Sequence, residues 1–156
     1  MSIEARLRQL GIELPEAPAP RGSYARGVVA GELLFLSGQL PIRDGRVVYA
    51  GRVGAELSVD EGRAAAALAA VNVLAQLKAV LGDLERIREI VRLEGHVASA
   101  PGFVDQPRVL DAASDFFAQA LPGRSGHART AFAHPQLPLD AAVELVAIVA
   151  VLPAAG

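Results

Sequence analysis

"GHARTAFAHPQLPLDAAVELVAIVAV", residues 126–151, decides how the chain is read. From Ala141 to Val151 every residue except Glu144 is apolar, which predicts a strand covered on both faces rather than wetted on one. A carboxylate there is penalised in its charged form unless a cation answers it, and Arg129 stands at the entrance of the stretch. If "HPQLPLD" is the loop of an antiparallel hairpin centred near Gln136 and Leu137, Arg129 and Glu144 fall opposite each other on neighbouring strands. An ordinary cross-strand ion pair is one reading. The other is a carboxylate placed for acid/base work beside a guanidinium fork suited to a ligand carboxylate.

Working outward, "REIVRLEGHVAS" alternates Val91, Leu93, Gly95 and Val97 with Arg92, Glu94 and His96, a strand with one wetter face. A helix is expected from about Gln106 to Ala120, with a stripe of Val109, Ala113, Phe116 and Ala120. Upstream, Ser58 and Glu61 form a capping box. Leu68, Val71, Leu74, Leu77 and Leu81 then recur at helical spacing to a stop near Gly82. "GVVAGELLFLSGQLP" holds two apolar runs joined at Ala30 and Gly31, and Asp44-Gly45 supplies the next turn, an opening β-meander. Residues 1–19 comprise a short amphipathic helix near residues 2–10 and a proline-rich linker, an appendage to a domain spanning residues 20–156. The resulting order is an α+β domain with two main helices on one face of a mixed sheet. Two helices leave the other face bare, so self-association through the sheet is expected.

With 156 residues, 52% of them hydrophobic, the chain can bury a core of its own. No run of 18 or more apolar residues lacks a charge, so no membrane span is expected. Net charge is -2 and no basic block occurs, which argues against phosphate-driven nucleic-acid binding. Cysteine is absent and the first 20 residues lack a signal-peptide layout, so a cytoplasmic location is expected. His96, His127 and His134 have neither ligand spacing nor cysteine companions, and no metal site is expected. "PGRSGHA" is a glycine-rich loop without the ending of a phosphate-binding loop, and no Gly-x-Ser-x-Gly elbow occurs.

Two stretches carry a family resemblance. "GSYARGVVAGELLFLSGQLP" and "HARTAFAHPQLPLDAAVELVAIV" resemble the opening and closing motifs of the Rid family of reactive intermediate deaminases. These YjgF-type proteins were once also labelled endoribonucleases. The likeness covers about residues 20–151, and residues 1–19 with "VLDAASDFF" resemble a longer, less characterised branch. It implies a chorismate-mutase-like fold, a homotrimer with an inner β-barrel, and sites between subunits. The activity implied is hydrolysis of 2-enamino or 2-imino acids to a 2-oxo acid and ammonia, without metal or organic cofactor. Residue by residue, Arg129 matches the arginine that holds the substrate carboxylate, and Glu144 the glutamate that orients and protonates around the attacking water. Ala131 would position that water through its backbone, and Tyr24, Ser37 and Gly38 would line the pocket. Arg26 stands where small-ligand deaminases often carry glutamine, Asp111 where the longer branch commonly has asparagine, and Ala131 where cysteine is frequent. A non-catalytic trimeric binder of small carboxylates, or metabolic sensor, would use the same arginine.

Overall fold

In the computed structural model, which describes residues 1–154, the most apolar strand takes the centre of the sheet. In chain order the elements are helix α1 (Ile3–Gln9), strands β1 (Gly27–Ala30), β2 (Leu33–Leu36), β3 (Ile42–Arg43) and β4 (Arg46–Val47), and helix α2 (Val59–Leu81). Strand β5 (Ile87–Ala98), helix α3 (Gln106–Ala120), β6 (Ala128–His134) and β7 (Val143–Val151) follow. Five strands form one sheet in the order β1-β2-β7-β5-β6, and β3 and β4 pair apart from it. The expected meander therefore breaks after β2. The Asp44-Gly45 turn forms as expected, both residues at positive φ, 52° and 75°.

The hairpin expected between the last two strands does not form. β6 lies parallel to β5, β7 lies antiparallel to β5, and β5 separates them. β5, α3 and β6 are a crossover unit, the connection that parallel neighbours require. β7 then returns to the far side of β5 and pairs there with β5 and β2. Apolar on both sides, β7 gains a ladder on each edge, whereas half-exposed β6 tolerates the sheet edge.

Both long helices cover one face of this sheet. α2 starts at the capping box, in which Glu61 N donates to Ser58 Oγ and Ser58 N to Glu61 Oε1, both at 3.1 Å. It stops at Gly82, whose φ of 77° suits glycine. Leu74, Leu77 and Leu81 are buried as expected, but Leu68 and Val71 are only half-buried. The small side chains Ala65, Ala66, Ala69 and Ala70 take the close contact instead. By length and composition α2 could cross a membrane, yet 61% of its apolar window is buried inside the domain. α3 has the expected bounds, with Phe117 buried and Phe116 half-buried and edge-on to it. In β5, Val91 sits at a register shift between Ile90 and Arg92 and turns outward, breaking the expected alternation.

α1 is docked rather than loosely appended. Ile3 and Leu7 enter the core, Ile3 N donates to Glu85 Oε1 at 2.6 Å, and Arg6 Nε donates to Gln119 O at 2.9 Å. The proline-rich segment is pinned from the domain side. Arg26 Nη1 donates to Ala17 O, Pro18 O and Gln76 Oε1, while Gln76 Nε2 donates to Pro18 O. Before α2, the Arg52–Glu56 pair closes a loop at 2.8 Å. The hydrogen bond from Arg52 holds the Glu56 carboxyl down at about 2.

Among the described residues, no layer covers the other sheet face. Val28, Phe35 and Phe132 are exposed, and Glu144, Val146 and Ile148 are half-buried. The double coverage expected of β7 is met on the helix side only.

Candidate active site

Strand register fixes where the two charged residues lie. Arg129 is opposite Leu93, which faces Ala147, and Glu144 is opposite His96, which faces Phe132. The two residues are thus two strands and three positions apart, roughly 14 Å between Cα atoms at standard strand spacing. An odd offset also puts them on opposite faces of the sheet. The cross-strand ion pair expected from the hairpin is absent for the same reason.

Arg129 stands on the helix side, under α3. Its Nη1 donates to Asp111 Oδ1 at 2.9 Å and Ser114 Oγ at 3.0 Å, and its Nη2 to Pro107 O at 3.3 Å. Asp111 and Ser114 are one helical turn apart, so they reach down from the same face of α3. Ser114 Oγ is 2.9 Å from His127 Nε2, and His127 Nδ1 lies 2.6 Å from Ser125 O. A carbonyl can only accept, so Nδ1 carries a proton; in the neutral ring Nε2 then accepts from the serine hydroxyl. Ala131 follows on the same strand face, opposite Gly95, with its methyl group half-buried against the core.

Glu144 belongs to a second cluster. Its carboxylate lies over Gly38, where an added Cβ would land on Oε1 and only 3.0 Å from Cδ. Gly38 is therefore glycine for close approach. Gln39 and Leu145 exchange backbone hydrogen bonds beside it, at 2.8 and 2.9 Å, and hold that loop on β7. Ser37 Oγ donates to Ala25 O at 2.7 Å and Ser37 N to Arg26 O at 3.0 Å, which brings the segment after Tyr24 alongside. Tyr24 is 54% exposed, and its hydroxyl accepts from Arg21 N at 3.2 Å. One chain thus holds the six candidate residues as two groups, Arg129 with Ala131, and Glu144 with Gly38, Ser37 and the neighbouring Tyr24.

Around Glu144 the bare sheet face is polar and aromatic. Phe132 stacks on His96 at 4.8 Å, and His96 Nδ1 is 2.8 Å from His134 Nε2. These histidines are distant in sequence and meet only because β5 and β6 run in parallel register. Arg92 bridges Glu94 and Thr130 close by. A cleft of about 910 Å³ lies elsewhere, between the proline-rich segment and α2, and includes Arg26 but none of the six residues. Asp111 and Ser114 as partners of Arg129, and His127 behind Ser114, go beyond what the sequence reading names. Asp111 and Ser114 at i,i+3 on one helix face were the available signal.

Known proteins resemble the chain over nearly its whole length. The family described as "YjgF/chorismate mutase-like, putative endoribonuclease" matches residues 4–152. Protein TCP17 of Trypanosoma cruzi is 43% identical over 148 residues, 94% of this chain and 92% of its own. The crystal structure of Atu1372 from Agrobacterium tumefaciens, a protein of unknown function, is 44% identical and superposes with a TM-score of 0.90, covering 96% of this chain and 92% of that one. A structure from Shewanella oneidensis, described as "a putative endoribonuclease", is 36% identical with a TM-score of 0.94, covering 97% of this chain and all of its own. The fold, the position of its motifs and these near full-length matches agree that the chain belongs to the YjgF/chorismate mutase-like family.

Proposed function

We propose that this protein is a hydrolytic deaminase of 2-enamino and 2-imino acids, acting in the cytoplasm as a homotrimer whose sites are completed between subunits. The observation that carries the reading is the division of the candidate residues into a cationic group and an acidic group on opposite sheet faces. A site that uses both Arg129 and Glu144 draws them from different chains. The bare face with Val28, Phe35 and Phe132, and the open edge of β6, supply surfaces on which another copy can seat. Stacked on that face, the sheets of three copies line an inner barrel.

The chemistry asks little of the protein. A protonated imine is already electrophilic, so the tasks are to hold a carboxylate, place a water and move a proton. Arg129 binds the carboxylate, with water positioned by the Ala131 backbone. Glu144 takes a proton from the water as its oxygen bonds to C2 and the C=N electron pair moves to nitrogen. Returning that proton to nitrogen makes it a leaving group. As the C–N bond breaks, the oxygen lone pair forms the C=O bond. The hydroxyl proton passes to Glu144 and on to the departing ammonia, which leaves as ammonium beside the 2-oxo acid. No metal or organic cofactor is needed for these steps. An RNA-cleaving role draws no support from a net charge of -2 without a basic stripe.

The direct test measures ammonia release from a 2-imino acid generated in situ, together with sedimentation of the protein. Acceleration by a species of three times the chain mass is expected. Carboxylate binding without acceleration would instead identify a non-catalytic binder, and a stable monomer at micromolar concentration would remove the shared site. Gly38→Ala offers a second measurement. The new methyl group displaces the Glu144 carboxylate without touching the core, so turnover falls on the order of 10²-fold while the melting temperature stays near the parent's.

A further inference from the structure

The Arg129–Asp111 pair leaves a donor and an acceptor unused. Arg129 Nη1 is occupied by Asp111 Oδ1 and Ser114 Oγ and Nη2 donates to Pro107 O, but Arg129 Nε and Asp111 Oδ2 make no hydrogen bond among the described residues. Asp111 is 52% exposed and Arg129 23%, so the pair is partly open to water. The guanidinium is also held still, because Ser114 is itself fixed by His127 and His127 by Ser125 O. A ligand arriving here meets a positive and a negative group 2.9 Å apart, not a lone cation.

We propose that Asp111 sets the charge class of the ligand: the pair accepts molecules with a cationic nitrogen beside a carboxylate, 2-imino and 2-amino acids, in preference to 2-oxo acids. This rests on the reading of Arg129 as the carboxylate anchor and deepens it. A 2-oxo acid is a plain anion. Its attraction to the guanidinium is offset by repulsion from Asp111. An iminium or ammonium acid presents its carboxylate to the guanidinium and its nitrogen to the Asp111 carboxylate, so that both charges are answered. When hydrolysis removes the nitrogen, the product loses the contact that favoured the substrate, and release follows.

Asp111→Asn separates charge from positioning, since asparagine keeps an oxygen to accept from Nη1 and the residue is exposed. Titration calorimetry with 2-aminobutyrate, a stable stand-in for the imino acid, and with 2-oxobutyrate reads the selectivity. The parent is expected to prefer 2-aminobutyrate by about tenfold or more, and Asp111→Asn to abolish or invert that preference. An unchanged preference in Asp111→Asn, or none in the parent, overturns the proposal. Arg129→Ala distinguishes the two levels of the argument. Loss of both ligands in that variant leaves the anchor reading standing even where the Asp111 result fails, whereas undiminished binding of both overturns the anchor and the selectivity together.

Discussion

Gly95→Ala is expected to cost about 1–3 kcal/mol of stability, a fall in melting temperature of roughly 3–10 °C for a domain of this size. Gly95 lies in β5 under α3, and an added Cβ would fall on both terminal carbons of Leu110 and 2.7 Å from its Cγ. Leu110 is fully buried and cannot swing into solvent. Relief must come from moving α3 off the sheet, which opens the core on both sides of the contact. Valine at this position is expected to cost more than alanine. Gly126→Ala serves as the control, since a Cβ there meets nothing within 4 Å, and it should stay within about 0.5 kcal/mol of the parent. Urea unfolding of the three proteins checks the ranking. A parent-like Gly95→Ala would mean that α3 does not approach β5 at this point. The same contact bears on function, because α3 carries Asp111 and Ser114, and any outward shift of the helix carries away the groups that hold Arg129.

That coupling was invisible in the sequence, and the reason is instructive. Local signals read well: the Ser58–Glu61 box, the Asp44-Gly45 turn and the bounds of α3 depend on residues within a few positions of one another. The apolar character of β7 predicts a strand covered on both faces, and the fold seats it at the centre of the sheet. Its partner did not follow, because adjacency along the chain says nothing about which sheet edge a returning strand takes. The connection from 135 to 142 contains a 3-10 turn with Leu139 and Asp140 at positive φ, and it is long enough to pass across the end of β5. A hairpin reading put Arg129 beside Glu144; the crossover puts Asp111 beside Arg129 and Gly38 beside Glu144. The motif marks Gly38 as a candidate, but its physical task, making room for the Glu144 carboxylate, is visible only in the fold. Likewise Arg26, a departure from the motif, becomes intelligible once the carbonyls of Ala17 and Pro18 are seen to need donors.

Glu144→Gln should keep ligand affinity and melting temperature near those of the parent while lowering imine turnover on the order of 10²-fold or more. Glutamine matches glutamate in shape, so the contact with Gly38 survives. What disappears is the carboxylate to which the proposed function assigns the proton transfer. The fold sharpens this expectation. Were Glu144 the partner of Arg129 within its own chain, the substitution would release the arginine and weaken binding and stability together. The arginine is held instead by Asp111, Ser114 and the Pro107 carbonyl, none of which the change touches. Affinity for 2-aminobutyrate therefore reports on the Arg129 group, and turnover reports on the Glu144 group. Falling turnover at constant affinity assigns proton transfer to Glu144. Unchanged turnover removes it from the chemistry, and a joint loss of affinity and stability would show that the two groups lean on each other.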